Sequence, residues 1–302
     1  MTWAAGQPAL AVSGAYVLTA ASVVALVFFI DHIARSIRID SLMREVNEDT
    51  EEVVGRITDG DEVQTDEVPE CRVAVPAPSS GFVQGVDVDR LLSLAVEHDC
   101  TLRVHPLIGE RVIAGAPLLW ARTRSGADLP PGLAPAAADA VQVGYERTMQ
   151  QDVAFGLRQL VDIAVKALSP GVNDPTTAVH AIGHLAHLLV RLSDAPNGDQ
   201  VLRDRSGAIR LIVPRRSFSS YLGLACDQIR RYGAAEPAVT EELLRLVLDV
   251  ARADDPRRHG DAILRQADLV VTAAERETAE PRDLTPLHEL REEIERVVAR
   301  RS

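Results

Sequence analysis

The run LAVSGAYVLTAASVVALVFFI, residues 10–30, holds 21 residues without a charge. At about 1.5 Å of rise per residue, a helix of that length crosses a hydrocarbon core of about 30 Å. A secretory signal would place basic residues before a shorter apolar run and a small-residue cleavage site after it. Here nothing basic precedes the run, and Asp31, His32, Arg35 and Arg38 follow it. Basic residues on the C-terminal side put the rest of the chain in the cytoplasm. The expectation is a single-pass protein of the cell membrane, in contact with the lipid bilayer. A buried core helix is the competing reading. Ser13, Gly14, Ala20, Ala21, Ser22 and Ala25 are frequent small residues, of the kind that lets helices approach closely in lipid. A homo-oligomer is therefore expected. One span cannot enclose a path, so a transport role needs other subunits or further segments.

The chain has 302 residues, 46% of them hydrophobic, and a formal net charge of −12. That length suits two or three small domains. No basic patch is dense enough to follow a phosphate backbone, so nucleic acid is excluded as a partner. Cys71, Cys100 and Cys226 are far apart and odd in number, without metal-type spacing. They read as reduced thiols. Lys166 is the only lysine.

The patterning predicts an α+β chain, mainly α. Residues 1–58 form a membrane helix and a stalk helix, and residues 59–70 an acidic linker. Residues 71–125 form a small β-rich module, with the short amphipathic helix DVDRLLSLAVEHD capped by Asp87 or Asp89. Its run VHPLIGERVIAGAPLLW resembles half of a biotinyl/lipoyl-type barrel, in which two glycine turns bracket a short strand. Such modules carry their cofactor on a lysine. None exists here, so covalent biotin or lipoate is excluded, and no other cofactor is assigned. A Pro/Gly linker, residues 126–135, leads to a helical domain, residues 136–302. Within it, residues 136–149 look helical, residues 208–214 form a short strand, and Thr285-Pro286 starts the last helix.

The densest chemistry lies in ALSPGVNDPTTAVHAIGHL, residues 167–185. The preceding helix places Arg158, Asp162 and Lys166 four residues apart on one stripe, which is either an exposed ion-pair row or a partly buried polar ladder. Ser169, Pro170 and Gly171 end that helix. Asn173 or Asp174 caps the next, with Pro175 in its first turn and the hydroxyls of Thr176 and Thr177 beside free N–H groups. Two readings stand: a capped αα-hairpin, or a ligand site at a helix N-terminus. The candidate cluster is Arg158, Asp162, Lys166, Ser169, Asn173, Asp174, Thr176, Thr177 and His180. His180 and His184 are spaced to share a metal, but Ala181 stands where a zincin needs Glu, so no metal is assigned.

FGLRQLVDIAVKALSPGVNDPTTAVHAIGHL resembles the signature of an uncharacterised bacterial membrane-protein family, domain of unknown function 2254. VFFIDHIARSIRIDSLM is similar to that family's last membrane helix and its exit. GFVQGVDVDRLLSLAVEHD is similar to its middle segment, and SFSSYLGLACDQIRRYGAAEPAV to its later helices. The resemblance implies membrane location and supplies no reaction. It also implies that further membrane helices precede this one, making the chain a short form, a fragment or a misassigned start.

No GxSxG, P-loop, dinucleotide fingerprint or HExxH occurs. The expected function is a non-enzymatic oligomer whose cytoplasmic domain senses, scaffolds or gates. The alternatives are a channel or transporter subunit, or a membrane-associated enzyme using Arg158, Asp162, Lys166, Asn173 and Asp174. The enzyme requires a buried Lys166.

Overall fold

A computed structural model describes residues 7–58, 69–124, 126, 128–278 and 280–301. The expected acidic linker falls almost wholly outside these residues. The chain divides into two compact units, residues 1–45 and 46–302.

Helix α1 runs Gln7–Thr58. Its stretch Val12–Phe29 has mean hydropathy 2.1, and none of it is buried. Val17, Leu18, Phe28 and Phe29 are all well over half exposed. A core helix of this composition would be covered, so the competing reading of the apolar run fails on burial.

The body starts within the same helix. Val46, Thr50, Val53 and Val54 are buried, so this part is not a stalk standing in solvent. Thr50 is accommodated by Gly156 of α4 (Val153–Ala167), where a Cβ would overlap the Thr50 hydroxyl and lie 2.9 Å from its Cβ. Glu51 receives Arg191 at 2.8 Å and lies 3.3 Å from His187 Nε2.

Among the described residues, eight strands form two sheets: β1 (Val73–Pro76), β2 (Gly81–Val86), β3 (Cys100–Val104), β4 (Arg111–Val112), β5 (Pro117–Thr123), β6 (Val141–Gly144), β7 (Gln200–Arg203) and β8 (Ile209–Val213). One sheet has the order β1-β5-β3-β8-β7 and the other β4-β2-β6. All pairs are antiparallel except β3 with β8. Helix α2 (Val88–Glu97), capped by Asp87, packs on β3 and β8. Helix α3 (Leu133–Asp139) packs on β1, β5 and β6. Val83, Leu91, Leu102, Leu119, Ala137 and Leu211 share one core across both sheets. Gly109 and Gly115 have φ of +83° and +85°, the left-handed conformation expected of the two glycine turns.

The remainder is helical: α4, α5 (Pro175–Ser193), α6 (Phe218–Gly233), α7 (Pro237–Ala253), α8 (Pro256–Glu277) and α9 (Pro281–Arg301). Helix α5 packs between α4 and α7, α6 against α4 and α8, and α9 against α7 and α8. Leu287, Ile294 and Val298 of α9 are buried in the protein's own core.

Two further sequence expectations are corrected. Residues 136–149 do not form one helix: α3 ends at Asp139, and Val141–Gly144 becomes a strand paired with β2. The alanine run stays helical in α3, whereas VQVG, with two β-branched valines and a glycine, alternates one face to the core and pairs with β2. The last helix starts at Pro281, not at Pro286, which lies inside it. Proline is tolerated in a first turn, and Pro281 already occupies the opening position.

Helix propensity alone would favour Gly156→Ala by about 1 kcal/mol. Overlap with buried Thr50 costs about 1–3 kcal/mol. Gly156→Ala is therefore expected to lower unfolding free energy by up to about 2 kcal/mol. Denaturant titration should also find a smaller loss in a Thr50→Ala background, because the two sites are coupled. A stabilising Gly156→Ala would refute the close helix approach.

Candidate functional site

The signature folds as a self-bonded αα-hairpin. Helix α4 ends at Ala167 with Leu168 as its C-cap, and the Ser169 hydroxyl donates to Lys166 O at 2.7 Å. The N–H groups of Val172 and Asn173 donate to Ser169 O at 3.0 and 2.9 Å, and that of Asp174 to Ala167 O at 2.9 Å. Asn173 reverses the chain in the left-handed region at φ +49°, a conformation Asn tolerates. Asp174 then caps α5. Its Oδ1 accepts from Thr177 N at 3.1 Å, and its Oδ2 from Thr177 Oγ1 at 2.6 Å. The prolines sit where they interrupt no helical bond.

This geometry brings together Ser169, Asn173, Asp174 and Thr177, and leaves the other candidates dispersed. Arg158 is half-buried and donates to Gln228 Oε1 of α6 at 2.6 Å. Asp162 and Lys166 are exposed, as are Asn173, Thr176 and His180, while His184 is half-buried. Among the described residues no ion pair joins Arg158, Asp162 and Lys166 to one another, so the partly buried ladder does not form. Lys166 is exposed, whereas the enzyme reading requires it buried. No group of three or more metal-ligating side chains occurs among the described residues.

Two polar clusters escaped the sequence reading. Asp152 caps α4 through Phe155 N at 3.0 Å. It is buried, and Arg147 grips it with Nε at 2.8 Å and Nη2 at 2.7 Å. The Arg147 guanidinium also lies 5.1 Å from the Phe155 ring centroid. Gly109 passes so close that a Cβ would overlap the Asp152 carboxylate. Burial raises the Asp152 pKa despite the opposing pull of Arg147. Arg147 lies in the segment 136–149, whose helical reading hides this pair.

The second cluster joins the starts of α6 and α8. Phe218 stacks on buried His259 at 4.4 Å between ring centroids. His259 Nε2 lies 3.9 Å from Asp254 Oδ1 at the end of α7. Burial pushes the Asp254 carboxyl up to about 6, while nearby Arg258 acts the other way.

An exposed apolar helix ahead of a mainly helical body with a β layer defines this chain as a membrane protein. It belongs to the family described as "Predicted membrane protein (DUF2254)", whose profile matches residues 2–249. Similar relatives include an uncharacterized protein of Mycobacterium bovis and another of Mycobacterium tuberculosis strain H37Rv. Each is 41% identical over 286 residues, covering 91% of this chain and 54% of the relative. The chain thus spans about half the length of the curated relatives it matches. No solved structure matches it.

Two outcomes follow from these clusters. Asp174→Ala is expected to lower stability by about 0.5–2 kcal/mol, the usual value of an N-cap, with Asp174→Asn retaining most of it. An unchanged denaturation midpoint would refute the capping role. Asp254 has a raised pKa, so the folded state holds its proton more tightly than the unfolded chain does. Its stabilising contribution is full below about pH 4 and is lost as pH rises through about 6. Unfolding titrations across that window should have a flatter pH slope in Asp254→Asn than in the wild type; equal slopes would count against the assignment.

Proposed function

We propose that this protein is a non-enzymatic membrane component that assembles into a homo-oligomer, with a cytoplasmic body that senses, scaffolds or gates. The observation that carries the reading is the uncovered apolar stretch Val12–Phe29. Lipid or another copy must cover it, since water leaves about 18 largely apolar side chains unpaid for in hydration free energy. Its small residues, Ser13, Gly14, Ala20, Ala21, Ser22 and Ala25, suit close helix contact. Arg35 and Arg38 follow the span and support a cytoplasmic body. The signature supports a structural role, because Asp174 and Thr177 are engaged in capping and Lys166 is exposed.

Inverted membrane vesicles carrying the full chain test both parts. Cross-linking within the bilayer should give species of at least twice the chain mass, and added protease should digest the body without permeabilisation. Replacing Gly14 and Ala21 by Leu should reduce the cross-linked fraction. A monomer at all cross-linker concentrations refutes assembly, and a protected body refutes the orientation.

A further inference from the structure

The starts of α6 and α8 border a cavity of about 490 Å³ that no residue of the signature lines. Its charge is one-sided: Arg257, Arg258 and Arg265 face one carboxylate, Asp261. The chain as a whole carries −12. Elsewhere in the body, Arg147, Arg210, Arg245 and Arg291 each pair with a carboxylate. Arg258 is held by the end of α5, donating to Ser193 O at 3.1 Å and Ala195 O at 2.6 Å. Arg257 and Arg265 are exposed, and their guanidinium groups have no ion pair or hydrogen bond among the described residues.

The surroundings add donors and rigidity. The Ser217 and Ser219 hydroxyls lie 3.1 Å apart on the cavity wall. The Phe218–His259 stack, at 4.4 Å, ties the two helix starts together. Asp255 already caps α8 through Arg257 N at 3.1 Å, so recognition rests on side chains and not on the helix end. Two uncommitted guanidinium forks beside paired hydroxyls match the oxygens of a tetrahedral phosphate better than they match a point charge. We propose that this cavity binds a phosphate group, free or on a lipid headgroup, through Arg257 and Arg265, with the Ser219 hydroxyl as a further donor. The site is independent of the oligomer reading above.

The test uses the full chain in two settings. In nonionic detergent, inorganic phosphate is titrated by calorimetry. In nanodiscs of phosphatidylcholine with or without phosphatidylglycerol, hydrogen exchange is followed at residues 217–222 and 256–265. Phosphate binding in detergent identifies a free anion as the source. Protection in nanodiscs without phosphate binding in detergent identifies a headgroup phosphate, which both lipids carry, and stronger protection with phosphatidylglycerol marks a preference for its net negative charge. In either case Arg257→Ala/Arg265→Ala should weaken the effect about tenfold or more, and Asp261→Asn should strengthen it. The ligand-free melting temperature of the double variant should match the wild type, because both arginines are exposed. Binding of neither probe overturns the proposal. So does binding that the double variant leaves intact.

Discussion

The parallel pairing of β8 with β3 is the interaction on which the body's organisation depends. The chain leaves the helices after α5, adds the β7–β8 hairpin to the sheet, and returns to the helices at α6. Leu102 aligns with Leu211 and Arg103 with Ile212. A strand added beside another at a separation of over a hundred residues has a large loop-closure cost, so side chains must fix its register. Arg210 does this. Its side chain is only 10% exposed and reaches Asp204 in the hairpin and Asp99 ahead of β3, each at 2.7 Å. Thr101 Oγ1 adds a bond to Ile209 O at 2.9 Å. Removing one partner of so enclosed a pair leaves a charge without compensation, which is why such pairs specify arrangement more than they add stability.

That pairing also marks the limit of what the sequence reveals. The run AIRLIVP reads as a strand from composition, and a strand forms there. Nothing local says that it pairs with residues 100–104, or that QVLR lies beside it as an edge strand. Period and punctuation describe one element at a time. Pairing partners are a global choice set by which apolar faces remain to be covered. Elements whose signals are self-contained were legible: α2 with its Asp87 cap, α4 and α5 with their 3.6-residue apolar stripe, and the two glycine turns. Residues 136–149 misled because the alanine run of α3 continues without punctuation into a strand.

The candidate cluster divides along the same line. Asp174 and Thr177 interact over three residues, so the capping geometry is written in their spacing. The ladder of Arg158, Asp162 and Lys166 shares a helix face, as spacing demands. Whether that face is covered depends on α6, which reaches Arg158 through Gln228 but leaves Asp162 and Lys166 in solvent. The Arg147–Asp152 pair was hidden for the opposite reason. Five residues in no shared element bring its members together, and Gly109, from a distant turn, makes the room.

Buried charge in this body therefore gathers at junctions and not at the signature. Arg210 joins hairpin to sheet. Arg147 and Asp152 join the start of α4 to the Gly109 turn, and Arg258 joins α8 to the end of α5. Each arginine meets carboxylates or carbonyls that would otherwise be desolvated without compensation. A rigid guanidinium fork satisfies several acceptors in one plane, which a flexible ammonium cannot do. That requirement gives a physical use for arginine at every such junction, and it leaves the single lysine on an exposed helix face where no fork is required.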